Sequence, residues 1–278
     1  MLKKAYFEIT NACNLACSFC HGTKRPIHYV TEAEFIRAAS ELKKAADYLY
    51  FHVMGEPLLH PELGKFLSLA GEMGFRVILT TNGTLLPKKR EILLTSPALH
   101  KVSVSLHSYE VNRLNLTLEE YLTGCFGFCR SASERGIISV MRLWNSGGAD
   151  TLNGEILAAM HAAFPGEWKQ TYSGFRLGDR LFLEWGEKFE WPDENADYCG
   201  NTHSCYGLRD QIGILSDGTA VPCCLDADGA IPLGNLYTQS IEEILASPRA
   251  VKLKKSFENR RIEEPLCQRC GYAAMKNY

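Results

Sequence analysis

The sequence predicts an α/β protein, a partial (β/α)6 barrel followed by a small β-hairpin-plus-helix unit. Three observations carry that reading. Short β-branched or aromatic runs alternate with helical periodicities through residues 5–185, which implies parallel strands joined by right-handed crossovers. Six such strand–helix units are too few for a closed eight-stranded barrel, so an open, TIM-type partial barrel fits better. After Pro192 the texture shifts to a turn-rich stretch and a hairpin signature, placing a boundary near 190–200 that divides the chain into 1–190 and 191–278.

The predicted strands, in order, are AYFEIT (5–10), YLYFHV (48–53), RVILTTN (76–82), KVSVSLHS (101–108), IISVMRLW (137–144) and RLFLEW (180–185). Between them, residues 31–46, 61–74, 88–96, 116–136 and 151–164 place apolar residues at i, i+3 and i+4, the helical spacing. Thr31 and Glu34 have the spacing of a capping box, and Gly74 and Gly136 stand where helices end. Past the boundary, QIGILSDGTAVPCC reads as a hairpin turning at Asp217-Gly218, and residues 240–257 as one helix.

Composition narrows the function. The 278 residues carry 30 Lys and Arg against 32 Asp and Glu, a net charge of -2. No overall basic field is available to hold a nucleic-acid backbone, so no nucleic-acid partner is expected. No apolar run approaches the ~20 residues of a membrane span, and Glu8 and Asn11 interrupt any signal-peptide core. The reading is a cytoplasmic protein without a membrane partner. Eleven cysteines in a chain of this length then point to metal binding or catalysis rather than disulfides.

In parallel α/β folds the chemistry collects at the C-terminal ends of the strands. Directly after the first strand stand Cys13, Cys17 and Cys20, spaced C-x3-C-x2-C. Three thiolates this close can hold three irons of a cubane and leave the fourth open. Zinc is the alternative, with His21 or His28 as a fourth ligand. Cys205, Cys223, Cys267 and Cys270 form a second set, separated by 17, 43 and 2 residues; by spacing alone it suits zinc or an iron–sulfur cluster equally. Cys224 competes with Cys223, because adjacent strand residues point oppositely, and Cys199 competes with Cys205. Cys125 and Cys129, at i and i+4 beside Phe126 and Phe128, read as core residues, and His52, His60 and His203 as packed or surface histidines.

The order of these strand-end features resembles the radical SAM superfamily. Its signature is matched by C-x3-C-x-Φ-C with Phe19 as Φ, followed by Gly55-Glu56-Pro57, Thr81-Asn82-Gly83, Ser105 and Arg142, over roughly residues 5–190. Met54 departs from the second-strand motif and His107-Ser108 from the fourth. The resemblance implies that Cys13, Cys17 and Cys20 hold a SAM-binding [4Fe-4S] cluster. It further implies that Phe19, Gly55, Glu56, Thr81, Asn82, Ser105 and Arg142 help to bind S-adenosyl-L-methionine. The C-terminal set, with SDGTAVPCC and CQRC, resembles a Twitch domain, the short form of the SPASM domain. That implies a second, auxiliary [4Fe-4S] cluster on Cys205, Cys223, Cys267 and Cys270.

The function so implied is reductive cleavage of S-adenosylmethionine to a 5′-deoxyadenosyl radical, abstraction of a substrate hydrogen, and electron transfer through the auxiliary cluster. Dehydrogenation of a small molecule, as in Twitch-bearing dehydrogenases of amino-sugar or cyclitol alcohols, is the first reading, with His107 as a candidate proton acceptor. Maturation of a ribosomal peptide, by crosslinking or epimerisation, is the alternative, with Cys224 or Cys199 as a hydrogen donor. A first strand at residue 5 argues against that alternative, as it leaves no room for a leader-recognition domain. A non-catalytic zinc or iron–sulfur protein is the third reading. Either enzyme would draw on a low-potential donor such as flavodoxin or ferredoxin.

Overall fold

The computed structural model describes residues 2–275. The first half is built of strand–helix units: β1 (Lys4–Phe7), α1 (Glu32–Lys43), β2 (Tyr48–Tyr50), α2 (Leu63–Glu72), β3 (Arg76–Thr81), α3 (Leu86–Leu94), β4 (Leu99–Ser105), α4 (Leu118–Glu134), β5 (Ile138–Ser146) and α5 (Asn153–Ala163). A meander of β6 (Lys169–Thr171), β7 (Gly174–Gly178) and β8 (Leu181–Glu187) follows. The C-terminal part holds β9 (Gln211–Ile214), β10 (Thr219–Val221), β11 (Gly234–Asn235), α6 (Ile241–Leu245), α7 (Pro248–Glu258) and α8 (Gly271–Met275).

All strands join one 11-stranded sheet, ordered β11-β10-β9-β1-β2-β3-β4-β5-β8-β7-β6. The neighbours from β1 through β5 to β8 pair in parallel. The two edges of the sheet stay unjoined, so the barrel is partial, as the sequence predicts. Its outer face is apolar: Phe7, Leu49, Val77, Leu79, Val102, Val104, Met141, Leu143 and Leu183 lie in the main core beneath the helices. Phe35 of α1 stacks on Phe66 of α2 at 4.3 Å over that layer, and burying each such ring contributes roughly 1.5–3 kcal/mol. The alternate residues, Tyr50, Lys101, Arg142 and Glu184 among them, face inward and are only half-buried. This inner face is the lumen.

Helix ends follow local chemistry. Thr31 accepts from the Glu34 backbone N–H while the Glu34 carboxylate accepts from Thr31 N, a complete capping box, and Thr117 with Glu120 repeats it on α4. Gly74 and Gly136, at φ 76° and 81°, adopt the left-handed conformation that ends a helix.

Three features depart from the sequence reading. The span 240–257 is two helices, because Ser247 caps a new start and Pro248 lacks the N–H needed to continue the first. The edge strand β6 and its neighbour β7 are not marked in the sequence, since KQT is exposed throughout and in GFRLG only Phe175 and Leu177 alternate between flanking glycines. The predicted hairpin forms, but β9 also pairs in parallel with β1, from Lys4↔Gln211 to Phe7↔Ile214. The C-terminal part therefore extends the barrel sheet across residue 190.

Candidate cluster and cofactor site

The loop after β1 carries Cys13 and Cys20 exposed and Cys17 half-buried. Contacts from the segments after three strands hold it. Glu56 N donates to Ala12 O at 2.8 Å, and Gly55, at φ 77°, lies so close that a Cβ would stand 2.5 Å from Thr10 O and 2.8 Å from Ala12 O. Only glycine fits there. Asn82 donates through Nδ2 to Asn14 Oδ1 at 3.0 Å. Asn112 accepts from Ala16 N at 3.0 Å and donates through Nδ2 to Cys17 Sγ at 3.0 Å and to Ser108 O at 2.7 Å.

Glu56 is buried beneath the loop, accepting from Leu58 N at 3.0 Å and Asn82 N at 2.8 Å. Burial pushes its carboxyl up to about 7. It caps the 3-10 turn Pro57–Leu59, as helix-capping chemistry alone would have it, yet the burial leaves an ionised Glu56 in want of a cationic partner. Thr81 accepts from Gly83 N at 3.1 Å, fixing the third strand end. Ser105, half-buried on the inner face, pairs in register with Arg142. Arg142 pairs with its register neighbour Glu184 on β8, with Nε 3.1 Å from Glu184 Oε2, and its guanidinium stands 4.5 Å from the centre of the Trp144 ring.

His107 packs its ring 4.7 Å from that of Phe19. Its Nδ1 lies 3.1 Å from Arg142 O, and burial pushes its pKa down to about 4, so the imidazole is neutral near pH 7. It supports Phe19 from below. His52 is neutral too, pushed down to about 3 by burial. His60 bridges Val30 O and Glu62 N, and His203 is buried.

The first strand supplies a contact the sequence reading missed. Glu8, fully buried, accepts both of its 2.7 Å bonds from Arg25 Nη2 and further bonds from Met54 N at 3.0 Å and Ser216 N at 2.9 Å. One carboxylate thus ties the cysteine loop, the second strand end and the C-terminal hairpin together. Asp228 adds to the seam by accepting from Lys24 N at 3.0 Å and pairing with His21 Nε2 at 3.0 Å, and Trp191 Nε1 donates to Phe19 O at 3.0 Å. An acid inside the apolar run AYFEIT is a readable sign of a buried partner; Asn112, Asp228 and Trp191 have no local sign.

The second cysteine set is gathered from distant segments. Burial raises the Cys223 thiol well above its ordinary range, and the neighbouring Cys224, Cys205, Cys267 and Cys270 push it further. Cys267 feels Cys205 and Cys270 in the same way. Cys224, near enough to Cys223 and Cys205 to interact with both, packs against the cluster of Tyr6, Val53 and Met54 and forms a side-chain hydrogen bond with Tyr6. Cys199 stands near Cys270 and donates its backbone N–H to Gln268 O at 2.8 Å. Cys125 and Cys129 are buried in the core under α3 and β4.

The donor chemistry fits iron–sulfur clusters. Among the described residues no three His, Cys, Asp or Glu side chains converge closely enough to hold a metal ion. Thiolates around one tetrahedral zinc stand about 3.8 Å apart at Zn–S bonds near 2.3 Å, whereas a cubane separates its ligands further. His21 and His28, the possible zinc ligands, are engaged by Asp228 and Glu34. Burial raises the thiols of both sets, so metal binding there releases protons.

Comparison with known proteins agrees. Residues 7–141 match the radical SAM superfamily and residues 205–271 an iron–sulfur cluster-binding domain of SPASM type. The chain is therefore a radical SAM enzyme. It carries, besides the domain that binds a [4Fe-4S] cluster and S-adenosylmethionine, a C-terminal domain for auxiliary iron–sulfur binding.

A probable GTP 3',8-cyclase of Methanocella arvoryzae is 25% identical over 86% of each chain. One of Aeropyrum pernix is 35% identical over 38% of this chain, and the chain spans about a third of its length, 32%. In fold, the chain is similar to BtrN in complex with AdoMet and 2-DOIA (TM-score 0.57, 18% identity, 97% of this chain and 93% of that one). It is likewise similar to Streptococcus suis SuiB bound to its precursor peptide SuiA (TM-score 0.58, 14% identity, 99% and 70%). No helix among the described residues is long and apolar enough to cross a membrane.

Proposed function

We propose that the chain is a cytoplasmic radical SAM dehydrogenase of a small molecule, with the catalytic barrel in residues 1–190 and one auxiliary cluster in residues 191–278. When bound, the two clusters and S-adenosylmethionine would supply a 5′-deoxyadenosyl radical that abstracts a substrate hydrogen, and a fully ligated acceptor for the electron left behind. Cys13, Cys17 and Cys20 would hold the first cluster, and Cys205, Cys223, Cys267 and Cys270 the second. Glu56 and Asn82 would meet the amino group of the methionine moiety, Gly55 would let the backbone approach it, Thr81 and Ser105 would line the cofactor, and Arg142 would take its carboxylate. Phe19, backed by His107, would shield the site from water.

The observation that supports the reading is that Cys205, Cys223, Cys267 and Cys270, from segments far apart in sequence, come into one neighbourhood, while Cys224, beside Cys223, also packs against the Tyr6 cluster. Four thiolates close a cluster's coordination, which leaves electron transfer as its natural role. The sheet that runs from β9 directly into β1 holds this group beside the lumen. A low-potential donor such as flavodoxin or ferredoxin would deliver the first electron. In the anaerobic holoenzyme, Cys267→Ala should retain S-adenosylmethionine cleavage and lose the oxidised product; full turnover in that variant overturns the dehydrogenase.

One observation favours a second reading. Cys224 faces the lumen and bonds to Tyr6, the position of a hydrogen donor to a substrate radical, which supports peptide epimerisation, and SuiB shows that this fold accommodates a precursor peptide. Deuterium incorporated at a peptide Cα from deuterated water separates the two.

A further inference from the structure

The lumen is unevenly charged. Lys101 and Arg142 share a single carboxylate, Glu184, at 3.5 and 3.1 Å. Lys4 rises from the foot of the barrel, where its Nζ lies 5.3 Å from the centres of the Tyr6 and Tyr50 rings. Among the described residues no carboxylate comes within 4.0 Å of it, and Asp210 beneath is engaged by Lys3 and Arg209. Glu8, the other acid near this face, is occupied by Arg25. Three cations therefore face one carboxylate, which Lys101 and Arg142 already share.

The uncharged groups on the same face lean the same way. His52 Nδ1, Ser103 Oγ and Trp144 Nε1 are buried without a hydrogen-bond partner. An indole N–H donates only, and a hydroxyl or imidazole N–H is able to donate. Native structures rarely leave such groups unmatched without a ligand or water to complete them. Burial also lowers the pKa of Lys4 and of Lys101, a sign that both ammonium groups lack sufficient counter-charge.

We propose that the lumen selects a substrate bearing an oxyanion, a carboxylate or phosphate ester, held by Lys101 and Lys4 with donation from Ser103 and His52. This rests on the reading of the barrel as the catalytic domain, and it narrows the substrate to acids rather than amines. Arg142 stands two inward-facing positions higher, paired with Ser105, whereas Lys101 pairs with Ile138. Lys101 thus meets Glu184 from below, on the side away from the arginine assigned to the cofactor's carboxylate. An amino-sugar would bring a fourth cation to the face; an acid would balance it.

Calorimetric titration of the anaerobic, S-adenosylmethionine-loaded holoenzyme tests this with matched probes. Glucose 6-phosphate and glucuronate are compared with glucose and glucosamine, and an acetylated Ala-Asp-Ala amide with its Ala-Asn-Ala counterpart. The acids should bind about tenfold tighter than their neutral or amine partners, and Lys101→Met should erase the preference, with Lys101→Arg restoring it. Whichever acid binds tighter, sugar or peptide, identifies the source. Glucosamine binding as tightly as the acids, or no acid exceeding glucose, overturns the proposal; because that result is read on the unaltered protein, misfolding of a variant does not obscure it. 5′-Deoxyadenosine formation by the same preparation reports separately on the catalytic reading: its presence without acid preference removes only the oxyanion, and its absence removes the enzyme reading itself.

Discussion

The two cysteine sets solve opposite problems. Cys13, Cys17 and Cys20 sit on one short loop, with Cys13 and Cys20 exposed, and the loop has almost no core of its own. It is held by long-range bonds from Glu56, Asn82, Asn112 and Trp191. The second set comes from the edges of a hairpin and a chain terminus, 65 residues from Cys205 to Cys270, and is packed behind β9, with Cys205 and Cys267 against the main core. The first site is open and held from outside, as the admission and release of a cofactor require. The second is half-buried and self-packed, which suits the electron-transfer role proposed for it.

The largest expected effects break this contrast outright. Cys17→Ala should remove about four of about eight irons and abolish S-adenosylmethionine cleavage, whereas Cys267→Ala should remove a similar number and leave cleavage intact. Iron analysis with 5′-deoxyadenosine detection checks both; loss of cleavage in each would show that the two sites do not separate. Next is the seam between the regions. Glu8→Gln leaves the half-buried Arg25 without its charge partner, and breaking such a pair costs about 3–5 kcal/mol. Thermal unfolding should show that loss, while Lys43→Ala, at an exposed i,i+4 pair with Asp47, should cost under about 1 kcal/mol.

What was legible in the sequence divides along the same line. The strands, helices and capping box at Thr31 follow from local periodicity, and the first cysteine set is contiguous, so spacing alone exposed it. Strand alternation sets Cys223 apart from Cys224 without choosing between them, and β10 ends at Val221, before both; the packing of Cys224 against Tyr6 was not readable from the sequence. Of the seam only Glu8 left a mark. Asp228 lies 207 residues from His21 and Asn112 95 from Cys17, and nothing local marks either residue as a partner. The junction of β9 with β1 was equally hidden, because the pairing of parallel strands distant in sequence leaves no turn between them to read.

Glu56 sharpens the comparison through pH. Its carboxyl titrates near 7 in the folded protein, above its ordinary value of 4.5. The stability gained from the protonated form is thus fully present below about pH 4.5 and lost as pH rises through about 7. At about 1.4 kcal/mol per pH unit, Glu56→Gln should gain on the order of 3 kcal/mol on the wild type between pH 4.5 and 8. Unfolding midpoints in the absence of S-adenosylmethionine check this. Adding S-adenosylmethionine should shrink the gain, because its ammonium compensates the ionised carboxylate; a gain indifferent to S-adenosylmethionine would reduce Glu56 to a helix cap.

The smallest effect concerns how the open site is held. Asn112 Nδ2 stands 3.0 Å from Cys17 Sγ while its Oδ1 holds Ala16 N, so one amide both fixes the loop and donates toward a cluster ligand. Hydrogen bonds to ligand sulfurs raise a cluster's potential. Asn112→Ala should therefore lower the potential of the first cluster by on the order of 1 kcal/mol, about 40 mV for one electron. Asn112→Asp, which keeps the acceptor for Ala16 but adds charge, should lower it further. Redox titration followed by electron paramagnetic resonance reads both against the auxiliary cluster, whose potential should stay fixed. If Asn112→Ala loosens the loop without moving the potential, the amide serves position alone, and the open site is held but not tuned from outside.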